Sequence, residues 1–483
     1  MGKMRSLDLT PISQAISYTL SQAKSLGQSV VLSYSWDYGE SEQTSADALL
    51  AMAGVGEYKF YWQQQSLTLA AIGVVAQLEL TPNLNRFEAA QLFCQNYLNH
   101  SVTRGETCLG YIPTYALGGF AFHDHSQNSW QGFPNARLFI PQWLIQKQDN
   151  SPLVITLNCC IYPHDDFHKL EKLICQRVLE FPNLGESDTS ANNHQPNSNS
   201  DQNPVQSLEE VTGDRPWTEI VEQAVNLIKK GKLEKIVLAR ALDVHSLAHP
   251  IEVLNSLRCS YPECISFLLN FGMTSFVGAT PEILLQFQGD DFGNLQLKSD
   301  AIAGSTRRGL STSEDILLGN LLLASLKDRY EHEIVIRSIC DRLQNLGVDL
   351  QPLSPPQLKR LRNVQHLYTE IKGKLADCPW LKSFEILGQL HPTAAVGGEP
   401  QDISVQLIQA SEACDRGWYA APIGWVNSNG AGVFAVGIRS GYINGETARI
   451  YAGAGIVADS DIASELGETA IKFEALLRAL KFS

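Results

Sequence analysis

No stretch of this 483-residue sequence approaches the ~20 consecutive apolar residues that a membrane-spanning helix requires, so no bilayer span is expected. It also has no run of basic residues, and 37 Lys and Arg against 51 Asp and Glu leave a formal charge of −14. That balance speaks against tracking a nucleic-acid backbone. It does not exclude an anionic small molecule, because a local arginine or a bound cation overrides a weak global field. The ten cysteines include no C-x-x-C spacing, and Cys159 and Cys160 are adjacent. They read as reduced core residues of a cytoplasmic protein rather than as a zinc site or a disulfide scaffold. The N-terminus lacks the apolar centre of a secretory signal. It reads as a helix, with Thr10 as N-cap, Pro11 at the first helical position and Ile12, Ile16 and Leu20 on one side. A plastid leader is the second reading of that segment.

What is present divides the chain in three. Residues 1–184 carry β-branched and aromatic runs at 30–36, 58–62, 67–74 and 153–157, with helical spacing over 86–98. His123 and His125 flank Asp124, which suggests a metal site but reads more simply as an exposed hairpin tip. From 185 to 206 the composition collapses to Ser, Asn, Asp, Gln and Pro, a flexible linker or inserted loop. Residues 207–483 then alternate helices and hairpins. The pattern predicts helices at 217–230, 313–346 (capped at Thr312) and 384–390, and strands at 235–240, 267–270, 275–278 and 364–373. Two further runs, 419–426 and 432–440, read as paired antiparallel strands, and a last strand starts at Ala448. Strands arriving as hairpins predict an α+β fold with antiparallel sheets, not a doubly wound parallel sheet.

The residues that suggest chemistry lie mostly in this last part. Over 451–472 the sequence YAGAGIVADSDIASELGETAIK reads as a strand into Gly453-Ala454-Gly455, then a turn, then a helix opening near Ser464. The glycines would let backbone N–H groups approach an anion. Glu465 and Glu468 share one face of the helix, and Asp328 and Glu331 repeat that spacing on another. Two acidic pairs on two helices suit a hard divalent cation such as Mg²⁺ between them. Two solvated ion-pair faces are the alternative. Lys235 begins an apolar strand and would serve as a general base beside a cation; the alternative is a snorkelling strand-end lysine. Glu282, followed by Ile283-Leu284-Leu285, would stay protonated among apolar neighbours and serve as a general acid. Arg439 and Tyr419 could clamp a carboxylate, or simply stack at a sheet edge.

In one order the chain carries K-I-V-L-A-R (235–240), T-P-E-I-L-L (280–285), I-A-G-S-T-R-R-G (302–309), D-R-Y-E-H-E (328–333), H-P-T-A-A-V-G-G (391–398), W-Y-A-A-P-I-G-W (418–425), V-G-I-R-S (436–440), G-A-G-I-V (453–457) and S-E-L-G-E-T (464–469). This set closely resembles the chorismate-utilising enzymes: isochorismate and salicylate synthases and the large chains of anthranilate and aminodeoxychorismate synthases. The match runs from about Trp217 to the C-terminus, with residues 1–184 resembling the more variable N-terminal part of the same fold. The resemblance implies antiparallel sheets packed face to face and surrounded by helices, with chorismate as substrate and Mg²⁺ as cofactor. It implies that Glu331 and Glu468 ligate the metal, with Glu465 and Asp328 acting through water. It places the ring carboxylate beside Gly453, Ala454 and Gly455, the enolpyruvyl carboxylate on Tyr419 and Arg439, and His391 along the ring. Three positions bear on the reaction. Lys235 stands where water-adding members carry lysine, Ala303 where aminodeoxychorismate synthases carry a nucleophilic lysine, and Ala395 where pyruvate-eliminating members carry threonine. They favour isochorismate as product over salicylate or anthranilate. A salicylate synthase and a catalytically silent chorismate-binding protein are the alternatives. No glutaminase subunit is implied, and a monomer or weak homodimer is expected.

Overall fold

The computed structural model describes residues 10–38, 57–80, 84–124, 130–148, 151–180 and 207–481. Among them two large sheets carry the architecture. The first runs Leu208–Glu210, Lys235–His245, Thr447–Ile456, Ser440–Asn444, Thr274–Thr280, Ile265–Phe271, then Lys59–Gln64, Leu67–Ile72, Trp143–Gln148, Leu153–Ile161, Val30–Tyr38 and Val102–Arg104. The second runs Asp349–Leu350, Val364–Leu375, Leu295–Arg307, Ile283–Gly289, Ala431–Val436, then Pro422–Asn427, Tyr115–Phe120, Ala136–Ile140 and Ala76–Gln77. Neighbours pair antiparallel except Val30–Tyr38 with Val102–Arg104, as the hairpin-rich sequence predicts. Strands from before residue 184 and after residue 207 are built into both sheets, so neither part owns a sheet of its own.

Alternation along the strands explains the layering. In Lys59–Gln64, Phe60 and Trp62 face the core between the sheets, whereas Tyr61 faces the opposite way. Leu67–Ile72 repeats this with Leu69 and Ala71 against Ala70 and Ile72. The inner faces meet through aromatic rings such as Phe139 with Phe271, 6.0 Å apart, and Phe133 with Phe276, 6.2 Å apart. Fully burying each such side chain is worth roughly 1.5–3 kcal/mol. The outer face of the first sheet is covered by helices Thr10–Leu26, Pro250–Ser260 and Ile462–Ala479. Helices Leu326–Asn345 and Ser383–Leu390 pack on the second sheet.

Four expectations need correction. The long helix predicted over 313–346 is two, Thr312–Ala324 and Leu326–Asn345, because Ser325 turns extended (ψ 119°) and caps the second. Its Oγ accepts from the Asp328 N–H at 3.2 Å. The strand predicted over 432–440 is also two, Ala431–Val436 in the second sheet and Ser440–Asn444 in the first. Arg439 sits at the crossing with φ 52°, and Tyr419 precedes its strand, Pro422–Asn427, rather than lying in it. The strand into Gly453-Ala454-Gly455 is as expected, for all three lie in Thr447–Ile456 and a turn then leads to the helix Ile462–Ala479. His123 is buried against Phe122, not at an exposed tip, and burial pushes its imidazole down to about 4. His125 and the stretch 185–206 lie outside the described residues.

One buried ion pair ties the segment 412–416 to the strand Lys235–His245 of the first sheet. Arg416 Nη2 stands 2.5 Å from Glu412 Oε1 and 2.9 Å from the Val237 carbonyl, and Nη1 donates to the Val396 carbonyl at 2.7 Å. Glu412 Oε1 in turn accepts from the Ala239 N–H at 2.8 Å. Replacing Arg416 by Met strands the Glu412 carboxylate in the interior, so unfolding free energy should fall by about 3–5 kcal/mol. Urea denaturation of the two proteins measures this directly.

Candidate active site

A cleft opens where two strands of the first sheet part. Ser440–Asn444 and Thr447–Ile456 pair only as far as Gly441 opposite Ile450; beyond it the second strand keeps one neighbour, Lys235–His245. The cleft lies against this free edge and encloses about 650 Å³, its solvent-filled mouth included. Glu282, Ala303, Gly304, Ser305 and His366 face it from the second sheet, Gly453 and Gly455 from the free edge. Tyr419 and Arg439 enter from the crossings, Ala395 from the loop before Gly398, and Glu331, Glu468 and Lys472 from two helices. The expected Glu282, Glu331, Glu468, Tyr419, Arg439, Ala395, Gly453 and Gly455 are therefore gathered in one place, and the expected Lys235 lies just behind the lining, next to Gly455. His391 is not among them. It packs 5.4 Å from the Phe122 ring, bonds to the Phe122 carbonyl and lines a different, larger hollow beside Arg86. Ala454 is buried with its side chain off the cleft.

The free edge presents the backbone that the sequence reading expected to cradle an anion. In an antiparallel ladder alternate residue pairs share no hydrogen bonds, and their N–H groups point outward. Gly455 lies opposite Val237 and Gly453 opposite Ala239. Val237 and Ala239 donate away from this strand, to the Gly397 carbonyl and to Glu412 Oε1. The Gly453 carbonyl accepts from Lys472 Nζ at 2.8 Å, on the same outward side. The N–H groups of both glycines thus face the cleft. A side chain at 455 would displace the Glu331 carboxylate, since a Cβ on Gly455 would stand 2.1 Å from Glu331 Oε1.

Behind Gly455, Lys235 is wholly buried with Nζ 3.0 Å from Glu331 Oε1, yet off hydrogen-bond alignment, so Nζ lacks a hydrogen-bond partner. Glu282 Oε1 is likewise buried and unpartnered. Burial, reinforced by Asp300, pushes the Glu282 carboxyl up to about 8, against the opposing pull of Lys359, Lys235 and Lys472. The cleft therefore holds a protonated acid, with the Lys235 amine directly behind its Gly455 edge.

Arg439 is buried in a left-handed backbone conformation, and among the described residues no carboxylate pairs with it. Its Nη2 meets His366 Nε2 at 3.2 Å. A guanidinium can only donate, so Nε2 accepts and the ring proton lies on Nδ1, which donates to Ser305 Oγ at 2.9 Å. Burial and then Arg439 hold His366 far below its usual range, in agreement with a neutral ring. The contact depends on a β-bulge: Ala303 pairs with Leu367 but Ser305 with His366, Gly304 between them at φ 72°. His366 and Ser305 escaped sequence reading, although the alternation of the strand Val364–Leu375 was the available signal.

The four acids expected around a metal are each turned to another partner. Glu331 faces Lys235, Glu465 Oε1 stands 2.8 Å from Lys327 Nζ, Glu468 Oε1 stands 2.5 Å from Lys472 Nζ, and Asp328 accepts a short bond from Ser325. Hence among the described residues no three His, Cys, Asp or Glu side chains converge as metal ligands. The donor set itself, carboxylate oxygens on two helices bridged by Lys327 and Glu465, fits a hard divalent cation. Lys472 and Lys327 hold Glu468 below the usual carboxylate range despite its burial, whereas burial pushes Glu465 up.

Residues 18–481 match the family model described as chorismate binding enzyme. The isochorismate synthase MenF of Bacillus subtilis is 31% identical over 485 residues, covering 96% of both chains. The salicylate biosynthesis isochorismate synthase of Pseudomonas aeruginosa is 31% identical over 87% of this chain and 84% of its own. In fold, the chain is similar to MenF, the menaquinone-specific isochorismate synthase of Escherichia coli (TM-score 0.72, 24% identity, 98% and 100% covered), and to anthranilate synthase component I of Streptococcus pneumoniae (TM-score 0.67, 20% identity, 85% and 92% covered).

Gly455→Ala should drive Glu331 off its place at little cost to the fold. Turnover is expected to fall by about 100-fold or more, as a misplacement of about 1 Å suffices for that. An unchanged melting temperature beside a collapsed kcat is the expected pair of readings.

Proposed function

The chain belongs to the chorismate binding enzyme family, and from that premise we propose that it is an isochorismate synthase, exchanging the C4 hydroxyl of chorismate for one at C2. The observation that carries this reading is a buried acid that keeps its proton, Glu282, on the cleft, with a buried amine, Lys235, directly behind the Gly455 edge of the same cleft. Lys235 takes a proton from water as the water oxygen bonds to ring C2. The ring double bonds shift, the C4–O bond breaks, and Glu282 protonates the departing hydroxyl. One water enters and one leaves, so the ring keeps its composition. Lys235 ends with an extra proton and Glu282 without one, and both are restored before the next turnover.

Arg439 and Tyr419 hold the enolpyruvyl carboxylate. Arg439 is a buried cation in want of an anion, and burial pushes the Tyr419 phenol up to about 12, so it donates. The outward N–H groups of Gly453 and Gly455, in the strand that includes Ala454, face the ring carboxylate. Glu331 and Glu468 would hold Mg²⁺, with Glu465 and Asp328 acting through water, and the ion when bound supplies charge to fix and neutralise that carboxylate. Ala303 offers no amine and Ala395 no hydroxyl at the ring, which favours hydration without a covalent intermediate or loss of pyruvate. No helix among the described residues is long and apolar enough to cross a membrane. We assign the enzyme to the cytoplasm, acting without a glutaminase, as a monomer or weak homodimer.

Incubation with chorismate and Mg²⁺ followed by chromatography should yield isochorismate. Steady pyruvate release without an added lyase would overturn the assignment in favour of a salicylate synthase. Lys235→Ala and Glu282→Gln should each lower kcat by roughly 100-fold or more. An unchanged rate of chorismate consumption in both would point to a binding protein instead. Because Glu282 must carry its proton to act, kcat should fall as the pH rises through about 8. A rate still climbing well above that pH in the wild-type enzyme would remove Glu282 from the acid's role.

A further inference from the structure

The proposed acid sits in a segment gripped on both sides. Before it, the Pro281 carbonyl accepts a short bond from Lys359 Nζ. After it, the Ile283 N–H donates to Asp300 Oδ2 at 3.3 Å. The two grips are one unit, because Lys359 Nζ also stands 3.5 Å from that Asp300 oxygen. Tyr368 closes it, donating its hydroxyl to Asp300 Oδ1 at 3.1 Å and presenting its ring to the Lys359 ammonium at 4.9 Å. Asp300, Lys359 and Tyr368 come from three adjacent strands, Leu295–Arg307, Gln357–Arg360 and Val364–Leu375. None of the three lines the cleft.

Asp300 is only 1% exposed, and a carboxylate taken so far from water costs several kcal/mol unless its partners are good. Its cationic partners are imperfect: Lys298 at 3.9 Å and Lys359 at 3.5 Å, both partly exposed. A buried charge so indifferently paired is poor stabilisation. Its place is explained by what it flanks.

We propose that Asp300 and Lys359 are positioning residues for Glu282: together they fix the backbone on either side of it and present opposite charges that balance its proton. The inference rests on the reading of Glu282 as the acid. The charged groups facing Glu282 are Asp300 and Lys359 from the second sheet, Lys235 from the first, and Lys472 from the helix Ile462–Ala479. Asp300 favours retention of the proton, and the three lysines favour its loss.

The test uses the full-length enzyme at saturating chorismate and Mg²⁺, with kcat measured against pH. Asp300→Asn removes a negative charge, so the alkaline limb should move down by about 1 pH unit. Lys359→Met removes a positive charge, and the limb should move up by a similar amount. Simple loosening of the fold lowers the rate at every pH and cannot move the limb in opposite directions in two neighbouring variants. Alkaline limbs that both stay at the wild-type position overturn the proposal, as do two that move the same way. If Asp300→Asn does not accumulate as folded protein, Lys359→Met decides alone: an upward shift supports the proposal and an unmoved limb overturns it. Glu282→Gln separates the two levels. Loss of turnover there with unmoved limbs in the others refutes the positioning role only, whereas retained turnover refutes the acid and its positioning together.

Discussion

A charge cannot be left alone in a closed interior, and the pairing of Lys235 with Glu331 is where this constraint shapes the molecule most. Lys235 opens a strand of the first sheet, and Glu331 projects from a helix packed on the second. Their meeting ties the layers at the cleft and leaves no room for a side chain on Gly455. The strand edge beside it is bare because Ser440–Asn444 has parted from it, and its outward N–H groups face the cleft. The proposed base, a proposed metal ligand and the proposed cradle for an anion thus meet at one packing problem.

Most of the architecture was legible because its signals are local. Alternating apolar residues announced the strands, and Asn85 with Glu88 forms a capping box at the start of a helix read from spacing. What escaped reading depends on distant partners. The run from 432 to 440, apolar as far as Ile438, looks like one strand, although the chain changes sheets at Val436–Ser440. The backbone reversal at Arg439 has no glycine to mark it. Ser325 looks like any polar residue in a long helix until its hydroxyl caps the turn that presents Asp328.

The same distinction applies to the cleft. Residues identified through motifs, such as Lys235, Glu282 and Arg439, arrive together. His391, which the resemblance placed along the ring through H-P-T-A-A-V-G-G, does not, and His366 stands in the cleft instead. The reason is the bulge at Gly304, which shifts register by one residue and sets Ser305 opposite His366. Strand parity inferred from sequence fails at bulges, and this one adjoins the reacting groups. The direction of hydrogen bonding from Arg439 through His366 to Ser305 then leaves the serine hydroxyl proton free to turn toward the cleft.

The lysines that face three of the acids have an electrical consequence. Glu331, Glu465 and Glu468 stand against Lys235, Lys327 and Lys472. A divalent cation and a substrate with two carboxylates carry equal and opposite charge. Entering together they leave the balance of the site unchanged, whereas either alone upsets it in surroundings where unbalanced charge is expensive. Cation and dianion should therefore each strengthen the other's binding, and by reciprocity to the same degree. The protein's own ion pairs act as placeholders, exchanged for this incoming pair of opposite charges.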